Sequence, residues 1–201
     1  MPNKPRIGLI IGSTRKTRFA DKPAQWLLGK AEAHGTFDVE LLDLRDFDLP
    51  FFDEVASDAY APTQDPKAKA WQDKLATFDG FIILTPEYNR SITGVLKNAL
   101  DQAYVEWNRK PLAIMAYGSS GGARAVEHLR TIGVELQMVP LRHAVHIMGA
   151  DFLKVHPMGE NGPIEAIEGH LAHGLKAMFE ELDWWLGATI SQRAVEQKKA
   201  A

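Results

Sequence analysis

The stretch RIGLIIGSTRKTRF, residues 6–19, decides the fold because a mainly apolar run ends abruptly in a polar turn led by Gly12. A short, β-branched apolar run of this kind is typical of a strand buried on both faces. The turn carries Arg15 and Arg18, and helical spacing begins at about residue 20. Free N–H groups at a helix start, together with two neighbouring guanidinium groups, favour a bound anion.

The same alternation of strand and helix continues along the chain. Further strands are predicted at residues 37–44, 80–85, 111–117 and 138–147. Helices are predicted at about residues 20–34, 66–78, 94–107 and 123–136, with a C-terminal amphipathic helix at about 163–193. This order predicts an α/β fold, a flavodoxin-like doubly wound five-stranded parallel sheet with helices on both faces. We expect residues 1–201 to form a single domain.

Composition excludes several function classes. The chain has 201 residues, no cysteine and a formal net charge of −3. Disulfides, thiolate nucleophiles and cysteine metal sites are therefore excluded, and no metal site is predicted. The weak net charge makes nucleic acid and anionic membranes unexpected partners. The first residues show no signal-peptide pattern and no run has the length of a membrane span, so a cytoplasmic location is expected.

Ligands of doubly wound folds bind beyond the carboxyl ends of the strands, where three turns of this chain meet. The first turn, residues 12–19, lacks the glycine spacing of both the Walker loop and the dinucleotide fingerprint. A single terminal phosphate is therefore the favoured anion. The alternative is a polar loop with two solvated arginines.

The second and third turns combine groups that suit a flat polar ring. The second, TPEYNRSITG at residues 85–94, offers Pro86 and Tyr88 to frame a ring and Asn89 to bond its polar edge. It is otherwise read as an ordinary turn that caps the next helix. The third, YGSSGGARA at residues 117–125, has three glycines that let the backbone lie against a ligand.

The third turn also matches the nucleophile elbow G-x-S-x-G through Gly118, Ser120 and Gly122. Asp151 follows, and then three histidines in the order found in hydrolases, namely His156, His170 and His173. A serine hydrolase with Ser120 as nucleophile is therefore a competing hypothesis. It leaves the paired arginines of the first turn and the whole second turn without a role.

Taken together, GSTRKTR, TPEYNRSITGVLKNALD and YGSSGGARAVEHLR make the chain resemble the NADPH-dependent FMN reductase family, from about Arg6 to Ile147. That family includes many quinone, azo-dye and chromate reductases. The resemblance implies bound FMN, NADPH or NADH as co-substrate, and a homodimer or homotetramer. The segment after about Asp151 resembles the family less clearly, and no role is carried over to it.

The resemblance also implies which residues hold FMN. Ser13, Arg15 and Arg18 would bind the phosphate, with help from the backbone at Phe19. The isoalloxazine and ribityl chain would be lined by the second turn and the pyrimidine edge by the third. The residues concerned are Pro86, Glu87, Tyr88, Asn89 and Ser91, and then Gly118, Ser119, Ser120, Gly121 and Gly122.

The implied reaction passes hydride from NAD(P)H to FMN and then electrons to a quinone, flavin, azo compound or metal oxyanion, with ping-pong kinetics. No protein acid or base is required, so no catalytic residue is predicted. A preference for NADPH would need a cation near the flavin face, for which Arg90, Arg109 and Arg124 are candidates. A non-enzymatic electron carrier or redox sensor is the remaining hypothesis.

Overall fold

The structure, a computed structural model that describes residues 4–200, contains one parallel sheet in the order β2-β1-β3-β4-β5. This is the flavodoxin-like order, and the predicted fold is confirmed. The strands are β1 (Arg6–Ile11), β2 (Asp38–Asp43), β3 (Gly80–Pro86), β4 (Pro111–Tyr117) and β5 (Val139–Ile147). The helices are α1 (Asp21–His34), α2 (Pro66–Ala76), α3 (Gly94–Asp101), α4 (Ala123–Glu135), α5 (Gly149–Val155) and α6 (Glu168–Ala200).

The central strands are buried because their side chains contribute to two hydrophobic cores, one on each face of the sheet. In β3, Ile82 and Leu84 pack with α1 and α6, whereas Phe81 and Ile83 pack with α2, α3 and α4. Side chains alternate across a strand, so a strand covered on both faces reads as continuously apolar. The two layers leave the carboxyl ends of β1, β3 and β4 side by side at one edge.

Helix α3 ends at Asp101, six residues earlier than the periodicity predicts. Its last carbonyl groups accept hydrogen bonds from indole N–H groups instead of from further helical turns. Trp71 Nε1 donates to Ala99 O at 2.8 Å, and Trp107 Nε1 donates to Leu100 O at 3.2 Å. The chain after α3 can therefore turn back while these carbonyls stay satisfied.

The C-terminal region differs from the prediction in two ways. A short helix, α5, follows β5 where none was expected, and a 3₁₀ turn at Ile164–Ile167 precedes α6. Helix α6 then runs from Glu168 to Ala200, past the expected end near residue 193. Along it, Leu175, Met178, Leu182 and other apolar residues form the stripe that packs on the sheet. Across residues 4–200, no helix has the length and apolar character that a bilayer crossing requires.

Candidate active site

The β1–α1 loop starts from a buried, closely packed turn. Gly12 N donates to Leu84 O at 2.8 Å, and its carbonyl accepts a 2.6 Å bond from Thr93 Oγ1. A Cβ on Gly12 would lie 2.9 Å from Leu96 Cδ2 and 3.2 Å from Leu84 O, so a larger residue here would require its neighbours to shift. The next residue, Ser13, is 1% exposed and its Oγ lies 3.5 Å from the Tyr88 hydroxyl. The first and second turns are thereby in contact, as expected.

The outer part of this loop is open and rich in donors. Arg15, Lys16 and Thr17 are exposed. Among residues 4–200, no hydrogen-bond acceptor is found for the main-chain N–H groups of residues 14–17. These groups lie next to an exposed guanidinium and two threonine hydroxyls, so the loop has donors that no other part of the described chain uses.

The Arg18 guanidinium does not face this open surface but points inward, so its direct contact with a phosphate stays a prediction. Its side chain is 1% exposed and donates to Ser13 O at 2.7 Å and to Asp43 Oδ1 at 2.7 Å. Arg18 Nε also donates to Asp21 Oδ1 at 2.9 Å. Two carboxylates from β2 and α1 therefore hold the guanidinium, and Arg18 shapes the loop by holding the Ser13 carbonyl.

The electrostatics of this buried group follow from those contacts. Burial by itself raises the pKa of Asp43, but hydrogen bonds from Arg18 and Arg45 outweigh it and hold the pKa well below the usual carboxyl value. Burial likewise opposes the charge on Arg18, and the two aspartates outweigh it and raise the Arg18 pKa. Arg18 and Asp43 are therefore both ionised at neutral pH. Phe19, which follows, buries its ring edge-on against Tyr117, with ring centres 5.0 Å apart.

The second turn is a tight hairpin. Tyr88 and Ser91 exchange main-chain hydrogen bonds of 2.9 and 3.0 Å, and the two residues between them have positive φ, 50° at Asn89 and 71° at Arg90. This is the pattern of a type I′ turn. Pro86 is buried at the strand end, Tyr88 is half-buried and Asn89 is exposed.

Glu87 and Ser91 turn their side chains toward α4, and their expected role in lining a ring stays a prediction. Glu87 Oε2 accepts from Arg124 N at 3.0 Å, and the carboxylate forms an ion pair with the Arg124 side chain. Burial raises the Glu87 pKa, but the bonds from Arg124 outweigh it and lower the pKa below the usual value. Ser91 Oγ lies 2.9 Å from His128 Nδ1. These contacts brace the hairpin against α4.

Sequence reasoning named Arg124 only as a candidate cation near the flavin face, and it did not identify Arg124 and His128 as the partners of Glu87 and Ser91. Arg124 and His128 are four residues apart and so lie on one face of the helix, directly after the glycine turn. That spacing is the signal that would have found them. Asp43, which holds Arg18 from the end of β2, carries no such local signal.

The third turn depends on glycine. Gly121 and Gly122 have φ of 65° and 68°, and a Cβ on Gly122 would lie 2.7 Å from Ala116 Cβ. Gly118, with φ of 147°, accepts a 3.0 Å bond from Gly121 N and closes the turn. Ser119 and Ser120 are exposed at its tip. The turn therefore exposes two small hydroxyls, at the same edge of the sheet as the other two turns.

The hydrolase hypothesis finds no support in this geometry. A nucleophile elbow strains the serine itself, but here the positive φ values fall on the glycines and not on Ser120. His170 pairs with Asp151 at 2.9 Å, and the His156 ring lies 4.4 Å from that of Phe152. Within residues 4–200, no histidine is hydrogen-bonded to the Ser120 hydroxyl.

Comparison with known proteins shows which enzymes the chain is similar to. The chain is 41% identical over 141 residues to an NAD(P)H-dependent FMN reductase of Schizosaccharomyces pombe. The match covers 67% of this chain and 68% of that protein. It is 36% identical over 141 residues to a 2-hydroxy-1,4-benzoquinone reductase of a Burkholderia species, over 67% of this chain and 73% of that protein.

The fold is also similar to that of FerB, a flavoenzyme NAD(P)H:acceptor oxidoreductase of Paracoccus denitrificans. The TM-score is 0.67 at 24% identity, over 89% of this chain and 97% of that one. The family model for NADPH-dependent FMN reductase matches residues 5–151, which include all three turns. The chain therefore belongs to the NADPH-dependent FMN reductase family.

Proposed function

We propose that the cleft formed by the three turns binds FMN, and that the protein uses NAD(P)H to reduce a quinone, a flavin, an azo compound or a metal oxyanion. The observation that carries this proposal is the open loop of residues 14–17. Its free N–H groups and the exposed Arg15 lie beside a braced hairpin and a glycine turn. The quinone reductase among its relatives supports a quinone as the acceptor class.

The phosphate end of the cofactor fits the first turn. Residues 14–17 offer main-chain donors, the threonine hydroxyls add two more, and Arg15 supplies a fixed positive charge. Arg18 and Asp43 neutralise each other beneath this loop, so they set its shape and leave its outward charge to Arg15 and Lys16. A phosphate monoester with about two negative charges near pH 7 suits that surface.

The ring end fits the second and third turns. Tyr88 and Asn89 offer an aromatic face and an amide, and Pro86 gives a rigid apolar floor. The glycine turn has no side chains beyond two small serines, so its main chain is free to bond the polar edge of a ring. Glu87 supports the site by bracing the hairpin from α4.

Bound flavin supplies the hydride and electron-transfer chemistry. The residues of this chain would bind the phosphate and hold the ring edge, and none of them needs to donate a proton. We expect NAD(P)H and the acceptor to use the same face of the ring in turn. Such alternation gives ping-pong kinetics, with parallel lines in double-reciprocal plots.

The first experiment is a visible absorption spectrum of the purified protein, followed by anaerobic addition of NADPH and then of a quinone. We expect flavin bands that bleach with the nucleotide and return with the quinone. A protein that stays colourless after FMN is added would refute the proposal. Tight FMN binding with negligible turnover for every acceptor would instead favour a redox sensor.

The second experiment tests the phosphate loop with a matched pair of variants. Replacing Arg15 by Gln removes one charge-assisted bond, worth roughly 1.5–3 kcal/mol, so FMN affinity should fall about tenfold to a hundredfold. Lys16→Gln removes an exposed charge at the neighbouring position and serves as control. Fluorescence titration with FMN measures both. Equal losses in the two variants would mean that only net charge matters.

A further inference from the structure

We propose that Arg90 binds the 2′-phosphate of NADPH and thereby makes the protein prefer NADPH to NADH. This inference rests on the proposed function and assigns a specificity-determining residue to it. It starts from the conformation of Arg90, which occupies the second central position of the type I′ hairpin with φ of 71°. Glycine is strongly preferred there because any side chain is strained.

A strained residue in a rigid turn points to a role for its side chain. The turn is rigid because Tyr88 and Ser91 close it with two main-chain hydrogen bonds. The contacts of Glu87 with Arg124 and of Ser91 with His128 then fix it to α4 from below. These contacts therefore maintain the strained conformation, and they place Arg90 at the tip of the loop that carries Tyr88 and Asn89.

The structure separates Arg90 from the other two candidate arginines. Arg124 is paired with the buried Glu87 carboxylate. Arg109 lies before β4, at the opposite edge of the sheet, where its main chain bonds Gln137 and its side chain pairs with Glu196. Arg90 is exposed, and within residues 4–200 its guanidinium makes neither a hydrogen bond nor an ion pair.

The chemistry of the two nucleotides makes this charge decisive. NADPH differs from NADH only in a 2′-phosphate, which carries nearly two negative charges at neutral pH. A guanidinium can meet two phosphate oxygens with two parallel hydrogen bonds, whereas the 2′-hydroxyl of NADH offers no charge to it. Since Arg90 is exposed, the preference should weaken as ionic strength rises.

The test uses Arg90→Gly, which removes the charge and suits the positive φ of the turn. The ratio of kcat/KM for NADPH to that for NADH should fall about tenfold, while turnover with NADH is unchanged. The FMN-loaded wild type should bind 2′,5′-ADP about tenfold more tightly than 5′-AMP by calorimetry, and Arg90→Gly should bind them equally. Its melting temperature should stay the same or rise, because glycine relieves the strain.

Two further variants make the result specific. Arg90→Lys keeps a charge without the bidentate fork and should show an intermediate ratio. Arg142→Ala removes another exposed arginine, on β5, and should leave the ratio unchanged.

The inference would be overturned if Arg90→Gly kept the wild-type nucleotide ratio and affinity for 2′,5′-ADP. It would equally be overturned if NADPH and NADH turnover fell together, or if Arg142→Ala changed the ratio as much. In each case FMN binding and reduction by NADH in the wild type would leave the proposed function standing. A wild type that binds no FMN would instead remove the proposed function itself.

Discussion

At the scale of single residues, the two arginines of the first turn have opposite environments although three positions separate them. Arg15 is exposed, whereas the Arg18 guanidinium is held by Asp21, Asp43 and the Ser13 carbonyl. The difference comes from Asp43, which is 25 residues away in sequence and reaches Arg18 because β2 lies beside β1. A reading of the loop alone could therefore predict two cations but not which one is free.

Removing Arg18 should therefore destabilise the fold. In Arg18→Met the Asp43 carboxylate, which is 12% exposed, loses its main partner, and the free energy of unfolding should fall by about 3 kcal/mol. Urea denaturation measures the change. Arg45→Met is the control, because Arg45 also pairs with Asp43 but its side chain is 39% exposed, so its loss should lower the free energy of unfolding much less.

The pH dependence of that loss has a defined sign. The pKa of Asp43 is lowered in the folded protein, so its contribution to stability is complete above the ordinary carboxyl pKa. It is lost as pH falls through the folded value. The difference in free energy of unfolding between wild type and Arg18→Met should thus be largest at neutral pH and become smaller below about pH 4. Unchanged stability with a large loss of FMN affinity would return Arg18 to the role of a direct ligand.

At the scale of elements, patterns within one element were predictable and contacts between elements were not. Both ends of strand β4 were predicted correctly, because a strand that is buried on both faces has a continuous apolar sequence. The early end of α3 was missed because its last carbonyls are satisfied by Trp71 and Trp107, one of which comes from α2. The sequence of the second turn likewise indicated Glu87 and Ser91 as site residues, but it could not reveal that both side chains contact α4, because those contacts join two separate elements.

The loop between β2 and α2 and the segment after α3 each carry a carboxyl group with a buried oxygen. Asp58 Oδ2 and Glu106 Oε2 have no hydrogen-bond partner among residues 4–200. Burial raises the pKa of Glu106 to about 7, the neighbouring Asp58 acts in the same direction, and Lys110 opposes them. Glu106 therefore keeps its proton in the folded protein to a higher pH than an ordinary glutamate does.

Glu106→Gln should consequently change how stability depends on pH. A raised pKa means that the folded state binds a proton that the unfolded state has already released, so wild-type stability falls as pH rises from about 4.5 to about 7. The glutamine variant lacks this titration and should be the more stable protein at pH 8, by about 1 kcal/mol. Asp58→Asn should act similarly. If the free energy of unfolding of wild type and of Glu106→Gln changed in parallel between pH 5 and pH 8, the raised pKa of Glu106 would be contradicted.

At the scale of the whole molecule, the order of the five strands followed from alternation and strand burial, and it alone brings the three turns to one edge. The family was recognisable because each turn keeps its characteristic residues at that edge. The oligomeric state could not be predicted in this way, since an interface between copies of a chain produces no periodic pattern in its sequence. The expected homodimer or homotetramer therefore stays a prediction, and α6 is where it can be tested.

Trp184 is the residue on α6 through which we expect copies of the chain to associate. It is 65% exposed and packs edge-on against Trp185, with ring centres 4.8 Å apart, while Trp185 packs on the core. A tryptophan held at the surface by a partly buried neighbour is the kind of anchor that dominates interfaces. In Trp184→Ala the association constant should fall at least tenfold while the melting temperature of the protomer changes little, because the side chain is already mostly solvated. Light scattering over a concentration series measures the mass, and Lys176→Ala, an exposed polar change on the same helix, is the control. An assembly whose mass is unaffected by Trp184→Ala would place the interface on another surface.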